Sequence, residues 1–213
     1  MRPRDSTRPS KAMSRRDFLR LSGAGIAGAA LLGLVGSGKV LAQASPEPSL
    51  AAEFEEAAKE YHLPVGLLLA MGYVNTRWEM PPPGASAYEP GDPHGRGTYG
   101  IMQLVQNDSE NTLGEASKLT GISEEDLKTD RRSNILGGAA LLADSQGERP
   151  THLDDYFGAV DGKGGRGKQH KAVAGVGAGE LYAEQVFETL RKGALARIFD
   201  GERVGLPAQE GQL

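Results

Sequence analysis

The sequence contains no cysteine. Disulfides, thiol nucleophiles, cysteine-ligated zinc sites and a cysteine-linked lipid anchor are therefore excluded together. Histidine is scarce as well, and the four residues present lie far apart along the chain, without the paired spacing that metal ligands usually show: His62, His94, His152 and His170. The sequence thus predicts no metal site and no cofactor. A Gly-x-Ser-x-Gly elbow is also missing, so nothing favours a serine hydrolase.

Segments that alternate between apolar and polar residues are absent too. No β-strand is predicted, and the expected fold class is all-α. The chain also lacks an apolar run long enough and apolar enough for a stable transmembrane helix.

The first 44 residues read as an export signal. Residues 14–20 (SRRDFLR) form a twin-arginine pattern, residues 21–35 are apolar and glycine-rich, and Ala42-Gln43-Ala44 fits a small-residue cleavage site. The order of these parts favours a twin-arginine signal peptide over a basic disordered tail. We expect the mature protein to be extracellular, periplasmic or associated with the cell wall, and to meet the membrane only transiently.

Removal of this segment makes the chain strongly acidic. It carries 8 of the 24 Lys and Arg residues and 2 of the 28 Asp and Glu residues, which leaves 16 basic and 26 acidic residues and a net charge near −10. Nucleic-acid binding depends on clustered cations, so nucleic acid is not an expected partner.

The rest of the chain reads as one helical domain at 50–199, after a linker at 45–49 and before a polar tail at 200–213. The helices are predicted at 49–61, from Pro64 onward, from the capping box at Thr112, from the N-cap Ser123, and over 134–146 and 180–192. Long loops are predicted between Met80 and Thr98 and in the glycine-rich zone 158–179.

The helix that begins at Pro64 organises the domain. Nearly every residue at 65–74 is apolar or small, so this helix has no solvent face and is predicted to lie in the core. Polar side chains follow at its end, beginning with Asn75 and Thr76. They predict either the floor of a cleft or simply a core helix whose end reaches the surface.

Three segments, in this order, resemble the lysozyme-like, soluble-lytic-transglycosylase family. They are LLLAMGYVNTRW at 67–78, YGIMQ at 99–103 and NILGGAALL at 134–142. The chain is also similar to the lysozyme-like module that precedes the zinc amidase domain in certain secreted N-acetylmuramoyl-L-alanine amidases. The resemblance implies a lysozyme-like helical domain with a buried central helix and peptidoglycan glycan strands as partner.

The resemblance also locates two departures. Asn75 stands where the family has its catalytic glutamate, and an amide has no proton to give to a glycosidic oxygen near neutral pH. A tyrosine of the family is expected near residues 159–162, where this chain has none and the nearest is Tyr156.

The candidate substrate-binding residues follow from these segments, and they are Asn75, Thr76, Trp78, Tyr99, Gly100, Met102 and Gln103. Core packing is the alternative role for Trp78, and bracing of the loop is the alternative for Gln103. Glu79 is the candidate for a substitute catalytic acid, with a solvated carboxylate at the edge of the loop as its alternative.

Three functions remain open. The first is an exported domain that binds peptidoglycan glycan strands with weakened or absent cleavage. The second is an active wall-cleaving enzyme, a transglycosylase, a muramidase or a truncated amidase relative, with Glu79 or another carboxylate as its acid. The third is a non-enzymatic envelope protein that uses its helices to bind a partner.

Overall fold

The computed structural model describes residues 48–91, 96–147, 150, 152–161 and 179–209. The predicted signal peptide at 1–44 and most of the glycine-rich zone lie outside these residues, as do His94 and His170. The α-helices of the described part are α1 (Leu50–Tyr61), α2 (Val65–Thr76), α3 (Thr112–Thr120), α4 (Glu124–Thr129), α5 (Arg131–Gln146), α6 (Phe157–Val160) and α7 (Glu180–Lys192). Two short antiparallel hairpins accompany them, β1 (Thr98–Tyr99) with β2 (Leu104–Val105) and β3 (Ala194–Arg197) with β4 (Arg203–Leu206). The predicted predominance of helix is confirmed. The two hairpins were not predicted, because strands of two and four residues are too short to show an alternation of apolar and polar residues.

Helix α2 is the centre of the core, as its composition predicts. Every residue from Gly66 to Gly72 is buried, and the helix contacts α1, α7 and β4. Gly72 permits the closest of these contacts, because a Cβ there would lie 2.8 Å from the ring of Phe54 and 3.1 Å from Ile101. A larger residue would therefore push α1 and the first hairpin away from α2.

The helix starts follow local capping chemistry with three shifts from the sequence prediction. Ser123 caps α4 as expected, and Ser49, predicted as the first helical residue, instead caps α1; each hydroxyl accepts a backbone amide. Helix α3 is instead capped by Asn111, and Thr112 Oγ1 accepts the amide of Val105 in β2. Helix α5 begins three residues before the predicted start, because Asp130 caps it.

The first hairpin is tied to α5 by one buried side chain. Asn134 is fully buried; its Nδ2 donates to Tyr99 O at 3.0 Å and to Leu127 O at 2.8 Å, and its Oδ1 accepts from Met102 N at 2.8 Å. The turn approaches so closely that the Asn134 side chain occupies the space of any Cβ on Gly100, which also has a positive φ of 71°. Only glycine fits at that position.

The C-terminal segment differs from the predicted polar tail. Residues 203–206 form β4, and Val204 and Leu206 turn into the core while their neighbours face solvent. The segment also closes the domain, because the Glu202 carboxylate accepts the amide of Leu50 at the start of α1. The domain therefore extends past 199. A four-residue strand offers only two inward positions, which is too short for a recognisable alternation.

Loss of the Asn134 side chain is expected to destabilise the fold strongly. In Asn134→Ala, one amide and two carbonyls would stay buried without partners, so the free energy of unfolding should fall by about 3–5 kcal/mol. Urea denaturation measures this. The matched control is Asn111→Ala, which removes a single exposed cap bond and should cost about 1 kcal/mol. Equal losses in the two variants would contradict the assigned role of Asn134.

Candidate functional site

Helix α2 ends in an unusual turn. The helix stops at Thr76, and Arg77 and Trp78 both adopt left-handed backbone conformations with φ of 55° and 66°. Two consecutive non-glycine residues in this region are strained, by about 1–3 kcal/mol each. The surrounding contacts hold the turn in place, since Trp78 N donates to Gly72 O at 3.2 Å. The strained turn fixes the direction in which the last polar residues of α2 point.

Asn75 lies next to a tyrosine that the sequence did not single out as functional. The nitrogen Nδ2 of Asn75 and the hydroxyl of Tyr182 are both buried, and neither makes a hydrogen bond within the described part of the chain. Burial raises the pKa of the Tyr182 phenol above its ordinary value, and the nearby amide of Asn75 opposes this shift in part. The two groups are therefore neighbours, but they are not aligned for a hydrogen bond with each other. Buried polar groups in this state are uncommon and need a specific reason.

Helix α7 brings Tyr182 to this position. It packs against α2, and Tyr182 lies on its buried face with Val186 and Phe187. The periodicity of 180–192 predicts that Tyr182 faces inward, but it gives no indication that Asn75 is the neighbour. The two residues are 107 positions apart, and only the packing of α7 on α2 brings them together.

Trp78 is a core residue. Its side chain has no exposed surface, its Nε1 donates to Leu69 O at 2.7 Å, and its ring lies 4.8 Å from the ring of Tyr73 between centroids. The ring therefore offers no free face for stacking on a sugar. Trp78 packs in the core, which was the alternative role. Thr76 is also occupied locally, because its hydroxyl donates to Gly72 O at 3.4 Å.

The turn of the first hairpin packs against the second half of α2, where Ile101 meets Gly72. Within this turn Tyr99, Gly100 and Met102 are buried. Met102 fills the space over Gly138 of α5, so its role is to join the turn to the helix. These three residues therefore position the turn and expose little surface to a ligand.

Gln103 is the half-buried member of the turn. Its φ is 53°, and its Nε2 donates to Gly100 O at 3.1 Å, so part of its amide braces the turn. The side-chain nitrogen of Gln103 therefore has the alternative role given above, bracing of the loop. The structure places Gln103 at the edge of the segment that packs on α2 and leaves its side chain partly exposed.

The Glu79 carboxylate contacts the C-terminal hairpin. Because α2 ends at Thr76, Glu79 does not share a helical face with Asn75. The backbone N–H of Glu79 donates to Thr76 O at 3.2 Å and forms a turn. Its Oε2 accepts the amide of Phe199 at 3.2 Å, in the turn between β3 and β4. The carboxylate therefore connects α2 to the C-terminal hairpin.

A cavity of about 570 Å³ lies at the opposite end of α2. Its lining consists of His62, Leu63, Pro64, Pro150, His152, Leu153, Tyr156 and Gln209. Helix α2 has twelve residues, so at about 1.5 Å per residue the cavity and Asn75 are separated by about 18 Å. The cavity is therefore distinct from the polar end of α2.

Two further properties concern the described residues alone. No three His, Asp or Glu side chains among them come together as metal ligands would. None of their helices combines the length and apolar character needed to span a membrane.

Comparison with known proteins adds no assignment. No protein-family model matches the chain, and no curated protein matches it significantly.

Removal of the Tyr182 hydroxyl is expected to leave the stability unchanged. Because this hydroxyl has no hydrogen-bond partner among the residues that the structure describes, Tyr182→Phe should keep the free energy of unfolding within about 0.5 kcal/mol of the starting protein, or raise it. Tyr182→Ala, which also removes the ring, should cost about 3–5 kcal/mol. Thermal and urea unfolding compare the variants. A loss above about 1 kcal/mol in Tyr182→Phe would mean that the hydroxyl is hydrogen-bonded in the fold.

Proposed function

We propose that this chain is an exported, lysozyme-like domain that binds the glycan strands of peptidoglycan and does not cleave them. The observation that carries the proposal is the polar end of α2. There helix α2, buried from Gly66 to Gly72, carries Asn75 one residue before its end, and neither Nδ2 of Asn75 nor the neighbouring Tyr182 hydroxyl has a hydrogen-bond partner among the described residues.

The unpaired groups suit a carbohydrate. Nδ2 of Asn75 carries two donor hydrogens, and the Tyr182 hydroxyl both donates and accepts. Sugars with hydroxyl and amide substituents supply matching acceptors and donors. Buried polar groups without partners carry a free-energy cost, and a ligand that hydrogen-bonds to them removes this cost. The site therefore favours a polar ligand over an apolar one.

The absence of cleavage follows from the chemistry at position 75. A general acid must hold a proton near neutral pH and release it to the leaving oxygen, as a carboxyl group in an apolar pocket does. The amide of Asn75 has no such proton. The loop tyrosine implied by the family resemblance is also missing, although Tyr182 supplies a phenol beside Asn75 from another helix.

The geometry favours this proposal over an active enzyme that uses Glu79. The Glu79 carboxylate accepts the Phe199 amide on the side of the C-terminal hairpin, and α2 ends three residues earlier. A general acid must reach the scissile oxygen directly or through one water. Glu79 and Asn75 do not share a helical face that would present both to one substrate.

The binding proposal predicts retention on cell wall. The purified chain should sediment with insoluble sacculi above the level of an unrelated acidic protein, and Asn75→Leu should lose this retention because it removes the amide while keeping the volume. The matched control is Gln185→Leu, an equivalent change on the exposed side of α7. Retention of both variants to the same extent would remove Asn75 from the binding site.

A carboxyl group at position 75 is expected to produce lytic activity. In Asn75→Glu the new side chain would lie beside the buried Tyr182, where desolvation raises a carboxyl pKa and keeps its proton available. The loss of turbidity of a sacculus suspension measures the gain, and positioned general acids contribute about 10²- to 10⁴-fold. Asn75→Gln has the same length without the proton and should remain inactive. Equal turbidity loss in the two variants would contradict the assignment.

A further inference from the structure

The cavity at the start of α2 brings together residues that are distant in the sequence. Both histidines that the structure describes, His62 and His152, line it, although they are 90 positions apart. Both are exposed, so they lie at the rim, while Leu153 and Tyr156 are buried. The volume of about 570 Å³ falls within the range of about 300–1,000 Å³ that is usual for small-ligand sites.

The lining of the cavity differs in charge from the rest of the molecule. Aspartate and glutamate outnumber lysine and arginine in the chain by 28 to 24, yet no carboxylate is among the eight lining residues. The polar side chains present are two imidazoles, the Tyr156 phenol and the Gln209 amide. The imidazoles can become cationic, and the amide and phenol can donate hydrogen bonds.

The remaining walls of the cavity are apolar. Two of them are prolines, Pro64 and Pro150, and two are leucines. Gln209 is held from two sides. Its backbone N–H donates to Leu190 O at 3.0 Å, and its side-chain amide packs over Gly66, where a Cβ would collide with it. The backbone of Gln209 is therefore anchored to α7, and its side chain lies against α2.

We infer that this cavity binds a short peptide that ends in a free carboxylate and carries small apolar side chains. The carboxylate lies against His62 and His152 at the rim, the Gln209 amide donates to the peptide backbone, and the prolines and leucines contact the side chains. A carboxylate beside an imidazole favours its protonated form, so the pair becomes a charge-assisted hydrogen bond.

The source of this peptide rests on the proposed function, because the peptide would be a substituent of the bound glycan strand. A glycan strand at the Asn75 end of α2 would lie about 18 Å from the cavity, by the length of a twelve-residue helix. An extended peptide covers about 3.3–3.6 Å per residue, so a substituent of about five residues on that strand spans the distance. One domain would then contact both the sugar and the peptide of the same polymer.

The test uses the full chain and two probes, N-acetyl-alanyl-alanine and its C-terminal amide. NMR titration should shift the imidazole C–H signals of His62 and His152 with the acid, and the acid should bind at least about tenfold more tightly than the amide at pH 6.

Two substitutions locate the site. His152→Gln and His62→Asn should each weaken binding of the acid about tenfold; asparagine is chosen at position 62 because the residue there has a positive φ of 55°. Gln185→Leu, at an exposed position outside the cavity lining, is the control and should bind as the starting protein does. Absence of shifts at both histidines, equal affinity for acid and amide, or unchanged affinity in both histidine variants would each overturn the inference. The wild-type titration decides the question even if a variant fails to fold.

The outcome is separable from that of the glycan proposal, because the probes contain no sugar. Binding of the acid at the histidines without retention on sacculi would support the peptide site and contradict the glycan proposal. Retention on sacculi that depends on Asn75, without any shift at the histidines, would contradict the peptide site alone.

Discussion

The structure depends on the burial of α2. A helix without a polar face has no stable place at the surface, so every side of it must be covered by other elements. Helices α1 and α7 and strand β4 contact it directly, and the first hairpin reaches it where Gly72 leaves room for Ile101. The two candidate sites lie at the two ends of α2, beyond this covered middle: the cavity at its start, and the buried Asn75 and Tyr182 groups at its end.

The backbone at these ends is shaped by the same constraint. All the non-glycine residues with positive φ in the described part of the chain are His62, before α2, Arg77 and Trp78, after it, and Gln103, in the hairpin that packs on it. Conformations of this kind persist where neighbouring contacts over-determine them. At the end of α2 those contacts include the buried Trp78, whose Nε1 donates to Leu69 O.

The periphery is joined by polar contacts that close the domain on itself. Arg131 donates to both carboxylate oxygens of the buried Glu53, at 2.8 and 2.9 Å, and so joins α5 to α1. Glu53 also raises the pKa of the Arg131 guanidinium. The Glu202 carboxylate then binds the first amide of α1 from the C-terminal hairpin. The two ends of the described domain therefore stabilise one another, and removal of the C-terminal segment would expose the start of α1 as well as part of the core.

Local chemistry decided much of this fold in the sequence itself. The composition of residues 65–74 determined that α2 is buried, and the spacing of apolar residues determined α1 and α7. Ser123 marked the start of α4 because its hydroxyl binds a nearby amide. All of these depend on residues within a few positions of one another. What only the tertiary structure decided involves residues far apart: the placement of Tyr182 beside Asn75, the three hydrogen bonds of Asn134, and the meeting of His62 with His152 at one cavity. Trp78 and the tail illustrate the same limit. A tryptophan near a helix end is compatible with a core position and with a binding surface, and a short strand becomes recognisable only when its partner is in place.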